Sequence, residues 1–307
     1  MRIVRHAAAS GDSAIAVGSF DGVHRGHAAM LGELRRAAAS RRLTPAMLTF
    51  EPLPREFFAP REAPARLTTL AEKLALLAGQ GIETAIVQRF NRGFASLTPQ
   101  EFAERLARHH RARYVLVGPD FRYGKGRAGD CASLAESGRV LGFAVEVLAP
   151  VALDGERVSS TLVREALARG DLERAARLLG RRYAICGRVV HGTRRGRSMG
   201  FPTANVRLGR ARPALAGIFA VKCFGAATRG LEGVASLGTN PAVRSDGRST
   251  LEAFLFDFSG DLYGRRLTVE FVKKLRDEAH FASLEALAAQ IRRDCEGARE
   301  CFRSLDG

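Results

Sequence analysis

A chain of 307 residues has room for two domains, and 46% hydrophobic residues are enough to fill two cores. No apolar run approaches the roughly 20 residues of a membrane-spanning helix, and residues 1–13 carry Arg2 and Arg5 without the apolar stretch of a signal peptide. The net charge of +16 raises nucleic-acid binding, but the 48 basic residues are mostly arginines spread along the chain, without a basic block, and read as solvated helix faces. The five cysteines (Cys131, Cys186, Cys223, Cys295 and Cys301) show no C-x-x-C spacing. That argues against a metal or disulfide framework and for a reducing cytoplasm.

In chain order, short apolar runs at 14–20, 46–50, 84–90, 114–118 and 143–148 alternate with helical patterns near 27–39, 69–78, 98–109 and 130–137. Thr69-Leu70-Ala71-Glu72 and Thr98-Pro99-Gln100-Glu101 read as capping boxes, the second with Pro at the first helical position. Strands apolar on both faces alternating with helices predict a covered parallel sheet, an α/β Rossmann-like domain with ligands at the carboxyl ends of the strands. After residue 150 the pattern changes. A helix over 159–169 stops at Gly170, and Asp171 caps another that ends at Gly180. Strands over 184–190, 217–223, 233–237, 250–258 and 267–272, separated by turn residues, read as an antiparallel barrel or sandwich. A last helix starts near Ser283, with Leu284, Leu287, Ala288, Ile291 and Cys295 on one stripe. The domain break falls near 180–183.

The first candidate site is Gly18-Ser19-Phe20-Asp21-Gly22-Val23-His24-Arg25-Gly26-His27, between a strand and a helix. Glycines let backbone approach a ligand, and a helix N-terminus offers N–H groups to phosphate. Two histidines three apart can donate to phosphoryl oxygens as charge builds. Downstream, Ser159-Ser160-Thr161-Leu162-Val163-Arg164 is a good N-cap and, beside H-x-G-H, a second phosphate-binding helix start with Arg164 as a charge clamp.

In the second half, Gly192, Gly196 and Gly200 suit either a phosphate-closing loop or a hairpin with polar tips. Thr203 and Asn205 share a face if extended, and both offer oxygen to a hard cation. In a strand over 250–258, Glu252 shares a face with Phe254, Phe256 and Phe258. An acid there is either an edge residue reaching solvent or one with a chemical task.

With Thr49-Phe50-Glu51-Pro52-Leu53-Pro54, Gly118-Pro119-Asp120-Phe121-Arg122-Tyr123-Gly124-Lys125-Gly126-Arg127 and Gly200-Phe201-Pro202-Thr203-Ala204-Asn205, the two sites resemble nucleotidyltransferase and kinase signatures. Over nearly its whole length the chain resembles the prokaryotic bifunctional riboflavin kinase/FAD synthetase (FMN adenylyltransferase) family. The resemblance implies a Rossmann-like nucleotidyltransferase domain over 1–180, then an antiparallel β-barrel riboflavin kinase domain with a C-terminal helix over 181–307. It implies that riboflavin is phosphorylated to FMN, and that the FMN phosphate then attacks the α-phosphate of ATP, with Mg²⁺ serving both steps. His24 and His27 would hold the transferring phosphates, Ser160 and Arg164 the β/γ end, with Ser159 and Thr161 also binding ATP or its phosphates. Gly18, Phe20, Gly22 and Gly26 would surround ATP, while Pro52, Pro54, Asp120 and Phe121 line the flavin or nucleotide pocket. Gly192, Gly200, Thr203 and Asn205 would take the kinase ATP, with Thr203 and Asn205 toward its metal. Glu252 would be the base and Arg276 a contact to flavin or its phosphate.

The chain departs from the family pattern at Leu53 and Phe254, where His is usual, at Ser19 for Asn and at Arg182 for Pro. The implied partners are riboflavin, FMN and ATP, with no specific nucleic acid and no membrane. H-x-G-H alone would also permit another phosphorylated acceptor, and the kinase signature in the same chain argues for flavin.

Overall fold

The computed structural model describes residues 1–5, 11–192, 200–210, 212–238 and 249–306. They fall into two compact units, one of Met1–Pro64 and Leu70–Ser159, the other of Ala65–Thr69 and Ser160–Gly307.

In the first unit, strands β1 (Arg2–Val4), β2 (Ser13–Val17), β3 (Thr44–Glu51), β4 (Thr84–Arg89), β5 (Ala112–Val117) and β6 (Ala144–Val147) form one sheet in the order β1-β4-β3-β2-β5-β6. Every pairing is parallel. The connecting helices are α1 (Arg25–Arg41), α2 (Pro54–Phe58), α3 (Leu70–Gly79), α4 (Arg92–Ala95), α5 (Pro99–Glu104) and α6 (Cys131–Leu141). β2 is buried at all its positions. Its Ala14 and Ala16 join a core with Leu31, Leu34 and Leu77, while Ile15 and Val17 join another with Phe102, Leu106 and Leu134. Helices on both faces explain the apolar strands. From β2 the chain builds outward through β3 and β4 and then returns to β5 on the other side. The loops leaving β2 and β5 therefore open at the switch point, where such sheets bind ligands.

Local signals act as expected at several ends. Thr98 Oγ1 accepts the Glu101 N–H at 3.2 Å, and the Glu101 carboxylate accepts the Thr98 N–H at 2.7 Å. β1 was not anticipated, because only Val4 of that short edge strand is buried. A small hairpin, β7 (Ala152–Leu153) with β8 (Glu156–Arg157), also escaped the apolar pattern.

The second unit opens with α7 (Ser160–Arg169) and α8 (Leu172–Leu179), the latter capped by Asp171 and ended by a left-handed Gly180. Strands β9 (Ala184–Val190), β10 (Thr203–Val206), β11 (Gly217–Phe224), β12 (Leu231–Gly238), β13 (Thr250–Leu255) and β14 (Arg266–Arg276) then close into an antiparallel barrel, ordered β10-β13-β12-β11-β14-β9. Phe219, Val221, Leu237, Leu251, Ala253 and Phe271 fill its interior. Outer residues Ile218, Ala220 and Val234 pack on Ala298, Cys301 and Phe302 of α9 (Leu284–Asp306).

Three expectations shift. Packing divides the chain at Ser159/Ser160, about a helical hairpin earlier than the division expected at 180, because α7, α8 and residues 65–69 pack with the barrel. Arg164 Nε donates to the Ala65 carbonyl at 2.6 Å, and the Tyr183 hydroxyl donates to the Leu67 carbonyl at 2.9 Å. β13 ends at Leu255, and Asp257 has φ +52°, so Phe258 lies beyond the strand that carries Glu252. Leu284 is 62% exposed, and the inward stripe of α9 runs through Ala288, Asp294, Ala298, Cys301 and Phe302.

His110 follows a π-helical turn over Arg105–His109 and is buried, with no hydrogen-bond partner on either ring nitrogen among the described residues. Burial, then His109 and Arg105, lowers its pKa from 6.5 to about 3. The unfolded chain therefore takes up this proton first as pH falls. Its stabilising contribution is complete above pH 6.5 and declines toward about 3. The maximum slope is about 1.4 kcal/mol per pH unit for one such site. Denaturant titrations of wild type and His110→Phe should show a shallower acid loss in the variant, and equal slopes would remove His110 as the source.

Candidate active sites

The first site is built where β2 ends. The Gly18 N–H donates to the Leu48 carbonyl at 3.0 Å, and the chain then turns through Phe20, Gly22 and Val23 with φ of +48°, +82° and +43°. A β-branched residue such as Val23 rarely adopts positive φ, so surrounding contacts must hold the loop. Phe20 is fully buried beneath it.

His24 is the N-cap of α1. The His27 N–H donates to His24 Nδ1 at 3.3 Å, and the His24 N–H donates to His27 Nδ1 at 3.4 Å. The rings stack with centroids 3.7 Å apart. Because both Nδ1 atoms accept, each neutral ring carries its proton on Nε2, the nitrogen suited to donate to phosphate. Burial holds His27 well below the usual imidazole pKa, with His24 and Lys73 acting in the same direction. Gly26 permits this geometry, since a Cβ there would meet the His24 ring at 3.1 Å.

The other first-unit candidates lie at the same edge of the sheet. Pro52 and Pro54 follow β3, and Asp120 and Phe121 follow β5. Asp120 pairs with Arg157, and Phe121 stacks on Tyr123 at 5.5 Å. Leu53, just before α2, is buried. Ser159 closes the first unit, whereas Ser160, Thr161 and Arg164 belong to α7 in the second.

The second site lies on the outer face of the barrel. In the β10/β13 pairing Thr203 lies opposite Phe254 and Asn205 opposite Glu252. Directly opposed antiparallel residues share a face, so the three polar side chains converge. Thr203 Oγ1 donates to Glu252 Oε2 at 3.3 Å. Burial raises the Glu252 pKa, partly offset by that hydrogen bond. Gly192 makes room for Asn205, whose amide lies 2.4 Å from where a Cβ would stand. Gly200 is exposed with φ +86°. Residues 193–199, the centre of the glycine-containing segment with Gly196, lie outside the described residues.

Arg276 is held firmly. Its Nε and Nη2 donate to the Asp294 carboxylate, both at 2.8 Å, and Nη1 donates to the Asp277 carbonyl at 2.9 Å. Its guanidinium lies 5.6 Å from the Phe281 ring centroid.

The family model for FAD synthetase matches residues 6–162, and that for riboflavin kinase matches residues 179–302. The bifunctional riboflavin kinase/FMN adenylyltransferase of Escherichia coli strain K12 is 47% identical over 94% of this chain and 92% of its own. The chain belongs to the bifunctional riboflavin kinase/FMN adenylyltransferase family. The Pseudomonas fluorescens relative of the same name is 47% identical over 92% of this chain and 91% of its own. A solved structure described as a macrolide-efflux protein from Streptococcus pneumoniae is 29% identical, with a TM-score of 0.83, covering 97% of this chain and 99% of that one. Among the described residues no helix is long and apolar enough to cross a membrane.

Three features at these family sites were missed from sequence. Lys73 is 1% exposed, and its Nζ donates to the Ser19 carbonyl at 2.7 Å. Phe50, Phe57, Phe58 and Phe94 surround Phe90 with centroids 5.4–5.8 Å away, and Phe58 is 66% exposed. That aromatic shelf stands at the carboxyl ends of β3 and β4, and the Phe57-Phe58 pair after Pro54 was its sequence signal. The Glu278 carboxylate packs over Gly238, and burial raises its pKa.

The Arg276–Asp294 pair joins β14 to α9. Asp294→Ala leaves the guanidinium without its carboxylate and should cost about 2 kcal/mol. Chemical unfolding of the second unit reads this directly. An unchanged midpoint would mean that the pair contributes no net stability.

Proposed function

We infer that this protein phosphorylates riboflavin to FMN with ATP and then adenylylates FMN to FAD, releasing pyrophosphate. The observation that carries the reading is that one chain of this family holds two separate constellations. A mutually capped histidine pair stands at the switch point of a parallel sheet, and a Thr203/Asn205/Glu252 cluster stands on a barrel.

In the kinase step Glu252 takes the proton of the ribityl 5′-hydroxyl as that oxygen attacks the γ-phosphate of ATP. A raised pKa makes its carboxylate a stronger base than an exposed one. Thr203 and Asn205 offer hard oxygen donors beside Glu252, a set that fits a divalent ion carried by ATP, and we assign Mg²⁺. Such an ion, when bound, neutralises charge on the phosphates. Gly192 and Gly200 border the ATP, and Arg276, oriented by Asp294, presents a fixed cation to flavin or its phosphate.

In the adenylyl step the FMN phosphate oxygen bonds to the α-phosphorus while the bond to pyrophosphate breaks. His24 and His27 donate from Nε2 to the phosphoryl oxygens, where charge accumulates. Gly18, Phe20, Gly22 and Gly26 shape the loop around ATP. Ser160 and Arg164 are assigned to the β/γ-phosphates, and Ser159 and Thr161 to ATP or phosphate binding. Pro52, Pro54, Asp120 and Phe121 are assigned to the flavin side.

The reading places the protein in the cytoplasm, and all five cysteines are free. It assigns no specific nucleic-acid partner. Many arginines are spent on surface ion pairs, such as Arg111 and Arg113 with Asp12.

The two sites should separate on mutation. His27→Ala should lower FMN adenylylation about 10²–10³-fold, so that FMN accumulates from riboflavin. Glu252→Gln keeps the shape but cannot accept the proton, and should block phosphorylation while supplied FMN still becomes FAD. Chromatography resolving riboflavin, FMN and FAD, with circular dichroism to confirm folding, checks both. A folded variant that loses both reactions would overturn the two-site assignment.

A further inference from the structure

Lys73 lies on α3, between Glu72 and Leu74 and one turn before Leu77, all buried. A helix position this deep would ordinarily carry an apolar side chain, since enclosing an ammonium is costly unless it is hydrogen-bonded. Here it bonds to the catalytic loop from 54 residues away in sequence. Nζ donates to the Ser19 carbonyl at 2.7 Å and to Thr49 Oγ1 at 3.2 Å, and Thr49 Oγ1 itself donates to the Ser19 carbonyl at 3.1 Å. One carbonyl is thus gripped by two donors from different elements. It stands immediately before Phe20, the first of the positive-φ residues, and five residues before the histidine that caps α1.

We propose that Lys73 is a positioning residue for adenylyl transfer, fixing the strained loop from Gly18 to Val23 through the Ser19 carbonyl and setting a positive charge behind the His24/His27 pair. The proposal rests on the reading that this pair serves adenylyl transfer. Lys73 acts through the loop and the histidines, because at 1% exposure its ammonium lies beneath the surface that a nucleotide meets. The fixed charge favours the negative charge that builds on the transferring phosphate without reorganising. It also favours the neutral His27 that the reciprocal cap requires. Among the groups acting electrostatically on His27 are His24 from its own loop and Lys73 from α3, and the buried carboxyls of Asp21 in the loop and Glu72 beside Lys73 belong to the same elements.

The test uses the full chain carrying Lys73→Met, with FMN adenylylation and riboflavin phosphorylation assayed on the same preparation. Adenylylation kcat should fall about 10²-fold, the scale of losing one preorganised electrostatic group. The KM for FMN should change by less than about threefold, and riboflavin phosphorylation should stay at the wild-type rate. The acid limb of the adenylylation profile should move to higher pH, since removing the ammonium lets His27 protonate earlier.

Where Lys73→Met perturbs folding of the first unit, Thr49→Val decides the question. It removes only the bridging hydroxyl and keeps the Lys73 ammonium, so it should lower kcat about tenfold while the acid limb stays where the wild type has it. An adenylylation kcat within about threefold of wild type in a folded Lys73→Met protein overturns the proposal, and so does a loss confined to KM. Failure of the underlying reading looks different, because His27→Ala would then leave FAD formation intact.

Discussion

The first turn of α1 has N–H groups that a Ser or Asp would ordinarily satisfy, and here His24 and His27 cap each other instead. Each Nδ1 is occupied as an acceptor, so protonating either ring would destroy the bond that positions it. The neutrality of the pair and the geometry of the helix start are therefore one condition. Gly26 allows the rings to stack, the buried Phe20 supports the turn, and Lys73 opposes protonation from behind. The result is a helix N-terminus suited to anionic phosphate, with aligned dipoles and two oriented donors.

The barrel solves a different problem. Its interior is closed by apolar side chains, so chemistry has to be mounted on an outer face. Antiparallel register does the mounting. The β10/β13 pairing sets Asn205 opposite Glu252, and the β12/β13 pairing sets Ser236 on its other flank. Phe254, two residues along the same face from Glu252, packs on Phe201 at 5.5 Å and on Phe256 at 5.9 Å, and burial raises the Glu252 carboxyl pKa. The position where the family pattern has His thus carries an aromatic packed against two others.

What could be read from sequence was whatever depends on neighbours along the chain. The Thr98 capping box, the Asp171 cap, the Gly180 stop and the strand-loop-helix carrying H-x-G-H are local, and each stands where its residue types put it. What escaped depends on distant partners. Nothing in the local pattern marks Lys73 as buried until α3 is laid against the Ser19 carbonyl. The carbonyls of Ala65 and Leu67 accept from Arg164, Tyr183 and Arg210 of the same unit, partners more than 90 residues away, which moves the packing boundary away from residue 180. The inward turn of Asp294, against the polarity of its own helix, follows from Arg276 on β14.

On the proposed assignment the two sites carry opposite electrostatics because their nucleophiles differ. Riboflavin presents a neutral hydroxyl, which is a poor nucleophile until a base removes its proton, and the proposed base is Glu252, whose pKa burial raises. FMN presents a phosphate that is already ionised near pH 7, with a second pKa near 6 for a phosphate monoester. A base would add nothing there. The difficulty is instead to bring two anions together and to hold the charge that grows on leaving pyrophosphate. Nε2–H donors, backbone N–H groups and a buried lysine, the features found around the histidine pair, suit that need on the proposed assignment. Product of the first reaction is substrate of the second, so the charge that phosphorylation adds is what separates the two substrates chemically.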